Sequence, residues 1–213
     1  MQDVPDTHIE TFVDACHRAA AHGLMQCSSG NMSWRLDASR FLVTASGCWM
    51  ESLTPEQVSL CRTADGSLLE GRPPSVESGF HAGILQCRSD IDTVLHFQSP
   101  CATTLGCTIG AGEINYAVIP EVPVYIGAIA SVPYIRPGSP ELAAAVVAAM
   151  QDHDLAVLAH HGQVSAAPDL NSAIQNAVFF ELACRIILHG GDKVEPLPAE
   201  AISAFQTHRA YTA

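Results

Sequence analysis

The segment Val94-Leu95-His96-Phe97-Gln98-Ser99-Pro100 is an apolar run carrying a histidine and a glutamine two positions apart. Further on, Leu155–Ala159 runs directly into His160-His161-Gly162. Both runs have the length and content of buried strands, so the chain has to build a sheet that covers them. Side chains alternate along a strand, which puts His96 and Gln98 on one face. One strand thereby offers two groups to a single metal ion, and a second source of histidine downstream can close the site. Gln98 is the unusual member. An amide oxygen is a weaker ligand for zinc than imidazole, carboxylate or thiolate.

A chain of 213 residues, 48% hydrophobic and only 15% charged, suits one well-buried α/β domain spanning 1–213, or one that hides further surface by oligomerising. No apolar run approaches the roughly 20 residues that cross a bilayer, and the acidic start Met1–Asp6 is no signal peptide. The eight cysteines are scattered without a CxxC spacing, which predicts buried free thiols and a cytoplasmic location. A formal charge of −12 argues against nucleic acid as a partner, and nothing points to a membrane. A small anionic ligand would have to find its positive potential in a metal, in backbone N–H groups or at helix N-termini.

Helices and strands interleave. A helix is predicted over Thr7–His22, with Ile9, Phe12, Val13, Cys16 and Ala20 as its apolar stripe and Gly23 as its stop. After the loop Ser28-Ser29-Gly30-Asn31, strands follow near Met32–Leu36, Phe41–Thr44 and Val58–Arg62, with a capped turn at Thr54–Gln57. Ser75 is expected to cap a helix to about Cys87 with Glu77 in its first turn, and Asp92–Phe97 is the strand carrying His96. A short helix to Cys107 opens at Ser99-Pro100, Val118–Ile135 reads as one or two interrupted strands, and Ser139 caps a helix to about His153. Leu155–Ala159 is a buried strand, and Asp169 caps a final helix to about His189. The fold class that follows is α/β: one domain with a central, mostly antiparallel mixed sheet sandwiched by helices.

The chemistry collects at strand and helix ends. Two adjacent histidines after a buried strand place one imidazole toward a site and the other away, and with His96 also at a strand end the candidate is His161. Glu77 suits a helix start, where the macrodipole favours a carboxylate. One turn on, His81 either pairs with Glu77 or faces solvent. Ser29-Gly30-Asn31, Ser46-Gly47 and Ser75 each offer backbone N–H groups with a hydroxyl or amide, the equipment of an anion site.

Gly30-Asn31-Met32-Ser33, Thr44-Ala45-Ser46-Gly47, Ser75-Val76-Glu77 followed by His81, His96-Phe97-Gln98 and His160-His161-Gly162 resemble, in this order, the class II aldolase/adducin family. The resemblance runs from about residue 8 to 190. It implies a C4 homotetramer with active sites between subunits and a divalent metal, zinc first, with Mn, Co or Ni admitted by Gln98. His96, Gln98 and His161 fall on the metal positions and Glu77 on the acid/base, which also ligates the metal when substrate is absent. Gly30, Asn31, Ser46, Gly47 and Ser75 fall on the phosphate contacts. A hydroxyl lent by a neighbouring subunit corresponds to Tyr116, with Tyr211 as the alternative. Two positions depart from the pattern: Gln98 stands for the second strand histidine, and Val76 for the second serine of the phosphate-binding pair.

The activity implied is a metal-dependent aldolase that cleaves a short ketose phosphate, or a related hydroxy-ketone, through a stabilised enediolate. The same stabilisation serves dehydratases, decarboxylases and epimerases. A non-catalytic, adducin-like interaction domain is the reading from another class.

Overall fold

The computed structural model describes residues 1, 3–108 and 110–212, and the side chains of these except 111 and 206–212. Eight strands form one sheet: β1 (Asn31–Arg35), β2 (Arg40–Thr44), β3 (Val58–Arg62), β4 (Leu68–Gly71), β5 (Thr93–Phe97), β6 (Ile129–Val132), β7 (Leu155–Leu158) and β8 (Gly162–Ala167). Their order across the sheet is β4-β3-β2-β1-β5-β8-β7-β6. Every pairing is antiparallel except β6 with β7. This is the mixed, mostly antiparallel sheet that the pattern predicts.

Helices cover both faces. On one side lie α1 (Asp6–Ala21), α3 (Pro100–Gly106) and α5 (Leu170–Gly190), where Phe12, Cys16 and Phe180 pack with Leu95 and Phe97 of β5. On the other lie α2 (Ser78–Cys87) and α4 (Pro140–Ala149), where Phe80, Ile84 and Val146 pack with Val94 and Val164. Alternation along β5 sends Leu95 and Phe97 one way and Val94 and His96 the other. Register then sets Asn31 of β1 and Val164 of β8 on either side of His96. β1 and β5 thus present Asn31, Ser33 and His96 beneath the start of α2.

Four elements differ from expectation. Val118–Ile135 holds a π-helical turn, Val122–Ile126, before β6. Pro123 has no N–H to give a ladder, and Gly127 at φ 82° closes the wide turn by donating to the Val122 carbonyl at 2.8 Å. Strand β8 escapes the pattern because its Gly162–Ala167 run is short and holds a single β-branched residue, Val164, although Gln163 and Ser165 do alternate with Val164 and Ala166. Edge strand β4 exposes Leu68 and Leu69. A sixth helix, α6 (Ala199–Thr212), follows α5, which is therefore not the last.

All eight cysteines are free, four of them buried. Among the described residues no helix is long and apolar enough to cross a membrane.

Candidate metal centre

His96 sits one residue from the end of β5 with 1% of its surface exposed. Its Nδ1 lies 2.9 Å from the Gln163 carbonyl, an acceptor only, so Nδ1 carries the proton and Nε2 keeps its lone pair. That Nε2 points into a cavity and has no hydrogen-bond partner among the described residues. His161 arrives from the β7–β8 connection. His160 adopts the left-handed conformation, φ 55°, and the bend sends the two rings apart. His160 turns toward Tyr134, while the His161 ring stands 4.8 Å from that of His96.

Two glycines make this approach possible. A Cβ on Gly162 would stand 2.5 Å from the Phe97 carbonyl, 2.8 Å from Gln98 Cγ and 3.1 Å from His96 Cε1. Gly30, at φ 87°, would put one 2.9 Å from the His96 carbonyl.

Glu77 completes the cluster from the other layer. The helix begins at Ser78, so Glu77 is its N-cap residue rather than part of its first turn, and Ser75 Oγ accepts from the Glu77 N–H at 3.3 Å. The carboxylate does not cap the helix. It turns inward, with Oε2 3.4 Å from His96 Nε2 and Oε1 3.2 Å from His161 Nε2. Burial pushes its carboxyl up, but His96, the His161 contact and the 2.9 Å bond donated by Asn31 Nδ2 outweigh burial and hold it at about 2. Burial pulls the neighbouring His96 imidazole below its ordinary range. An ionised carboxylate and two imidazoles, all with ligand atoms within 4.8 Å of one another, form a donor set that could hold a metal ion with a position left open. The unpartnered Nε2 and its backbone-fixed ring fit a cation.

These residues line a cavity of about 200 Å³ together with Gln98, Gly30, Asn31, Ser46, Gly47 and Ser75. The structure therefore gathers every predicted metal and anion position into one place. No Lys or Arg is among its lining residues. Val76, at the rim, is 72% exposed. Tyr116 is not brought here: it is buried on the α5 side against Phe180, its ring centroid 4.9 Å away and its hydroxyl without a partner among the described residues. Tyr211 lies outside the described side chains.

One residue escaped a decision from the sequence. His81 meets neither Glu77 nor solvent. It is fully buried, bonded to Ser33 Oγ at 2.7 Å and to Asn31 Oδ1 at 2.6 Å. Asn31 consequently uses its side chain within the protein, bridging His81 and Glu77. The alternating polar residues Asn31 and Ser33 on β1 were the available signal.

Fold and site together define a metal-dependent enzyme built on a mixed sheet. Residues 10–188 match the model of the Class II Aldolase and Adducin N-terminal domain, and the chain belongs to this family. It is 32% identical over 161 residues to the 3-oxo-tetronate 4-phosphate decarboxylase of Haemophilus influenzae, covering 74% of this chain and 76% of that one. It is 32% identical over 173 residues to the 5-methylthioribulose-1-phosphate/5-deoxyribulose-1-phosphate aldolase of Rhodospirillum rubrum, covering 80% and 75%. The crystal structure of YgbL from Escherichia coli superposes with a TM-score of 0.88 at 27% identity, over 94% of this chain and 98% of that one.

Proposed function

We propose that this chain is a divalent-metal-dependent lyase that releases carbon dioxide from a short phosphorylated 3-oxo sugar acid. The observation that carries the reading is the convergence of Glu77, His96 and His161 on one small cavity rimmed by Gly30, Ser46, Gly47 and Ser75. The similarity to a decarboxylase of such a substrate supports the choice of reaction. His96, His161 and the Gln98 amide oxygen would hold the cation, zinc in the first place and Mn, Co or Ni next, with Glu77 beside it. The cation would supply Lewis-acid stabilisation of the negative charge that bond cleavage leaves on the substrate oxygens.

The protein's own groups do the rest. Backbone N–H groups at Gly30 and Gly47 and the hydroxyls of Ser46 and Ser75 anchor the phosphate as neutral donors, since the lining has no cationic side chain. Loss of carbon dioxide leaves an electron pair on carbon that must take up one proton. That proton comes from solvent: Glu77, ionised at rest, takes it up on Oε1, the oxygen that Asn31 does not hold, passes it to the carbon and returns to the carboxylate.

Aldol cleavage is the second reading, favoured by the similarity to the Rhodospirillum rubrum aldolase. It needs the same charge stabilisation and differs in releasing an aldehyde. Incubating the zinc-loaded protein with 3-oxo-tetronate 4-phosphate and with a panel of ketose phosphates separates the two. Carbon dioxide from the acid supports the first, aldehyde from a ketose phosphate the second, and neither, with no stoichiometric metal retained, returns the chain to a non-catalytic adducin-like role. Glu77→Gln should abolish turnover while the protein still binds zinc; retained turnover refutes the acid/base assignment. A homotetramer of the 22.6 kDa chain is part of the same proposal, and sedimentation velocity would read its mass.

A further inference from the structure

The polar layer beneath the cavity has a direction. Glu77, ionised, only accepts hydrogen bonds, so the Asn31 group facing its Oε2 must be the NH2 and the group facing His81 must be the carbonyl oxygen. The atom at the far end of that 2.6 Å contact, His81 Nε2, must then be the N–H. Burial holds the imidazole neutral, its pKa pulled down to about 3, so it carries a single N–H and Nδ1 is bare. Ser33 therefore donates its hydroxyl to Nδ1 over 2.7 Å. The chain of donors runs Ser33, His81, Asn31, Glu77, and no link can be turned round while Glu77 is charged.

His81 has no packing reason to be polar. Its ring stacks on Phe80 with centroids 4.7 Å apart, and it lies in a layer with Ile84 and Val94, where an apolar side chain would fill the space. A buried network earns its place by fixing geometry when every member is satisfied, and here both ring nitrogens are partnered. What it fixes is the Asn31 amide: with Nε2–H holding the amide oxygen, the amide cannot swing its NH2 away from the carboxylate.

We propose that His81 is a positioning residue: its Nε2–H locks the Asn31 amide so that the Asn31 NH2 holds Glu77 Oε2 and leaves Oε1 turned to the cavity. The proposal rests on the reading of Glu77 as the proton carrier, and its test separates the two.

Nitrogen-15 NMR of the imidazole rings in the metal-free protein reads the tautomer directly. His81 should show Nε2–H alone, and an Nδ1–H ring overturns the proposal whatever the protein's activity. Leucine at 81 removes the donor, whereas glutamine places an amide NH2 where Nε2–H stood. His81→Leu should lower kcat by about 10- to 100-fold with KM within about threefold, and His81→Gln should recover kcat to within about threefold. Equal losses in both variants, or a loss confined to KM, count against positioning. Should His81→Leu fail to fold, Ser33→Ala replaces it. Because the direction is set from the Glu77 end, the ring should stay Nε2–H without the hydroxyl, and an Nδ1–H ring in Ser33→Ala overturns the proposal. Turnover surviving in Glu77→Gln refutes the proton-carrier reading alone, because the tautomer result stands independently of it.

Discussion

His96 and His81 are alike in burial, 1% and 0% exposed, and face the same side of the sheet. Their hydrogen bonding separates them. His81 has both nitrogens partnered, whereas His96 has one nitrogen tied to a backbone carbonyl and the other open to the cavity. Burial alone does not mark a functional imidazole. An open nitrogen on a ring that a neighbour holds in one tautomer does, because only such a nitrogen can take a cation without first breaking a bond. The layer beneath spends its polar groups on one another and thereby fixes the layer above.

Acid should unmake the lower layer first. His81 protonates at 6.5 when exposed and at about 3 in the fold, and Glu77 at 4.5 and about 2. In both cases the unfolded chain binds more protons, so stability is complete above pH 6.5 and falls with pH, through His81 first and through Glu77 below 4.5. The His81 part is about 3–5 kcal/mol. Urea unfolding of the metal-free protein across this range should show it, and His81→Leu should reduce the slope above pH 4.5, leaving the part that the depressed His96 contributes. A wild-type curve already flat there would mean that the buried ring accepts charge and the two histidines do not differ as described.

Gly162→Ala strikes the upper layer. Its Cβ meets backbone, the Phe97 carbonyl at 2.5 Å, which has little room to move. A loss of about 1–3 kcal/mol is expected from overpacking, or roughly 2–4 °C in melting temperature per kcal/mol, with zinc affinity falling as well because His96 and Gln98 are displaced. Unchanged zinc affinity in a destabilised variant would uncouple this glycine from the site.

The smallest effect belongs to Gln98→His. An imidazole in place of the amide should tighten zinc binding by about tenfold, or about 1.4 kcal/mol, measured by calorimetry with zinc alone. No change in affinity means that residue 98 lines the cavity without facing the metal.

Much of the site was legible because its residue types are costly to bury unless used. A histidine inside an apolar run and a His-His-Gly segment after a buried strand announce themselves at His96 and His161, and small-residue loops announce Gly30 and Ser46. The inward turn of Glu77 was legible only through the family resemblance: by itself a carboxylate at a helix start has an ordinary explanation in the macrodipole, which the buried carboxylate's distances to two rings replace. The π-helical turn at Val122–Ile126 was hidden by β-branched residues that favour a strand, and β8 by a short run with one β-branched residue, Val164.

The chain's own pattern carried the elements, the face that His96 shares with Val94, and the membership in a metal-dependent family. Those follow from periods of two and 3.6 residues and from side-chain chemistry, which are local. Satisfaction is not local. The carbonyl that fixes His96 comes from 67 residues away, the amide that holds Glu77 from 46, and the oxygen that meets His81 from 50. Which nitrogen is left open and which is consumed depends on strand register and helix placement, and both are settled only when the sheet and α2 close on each other.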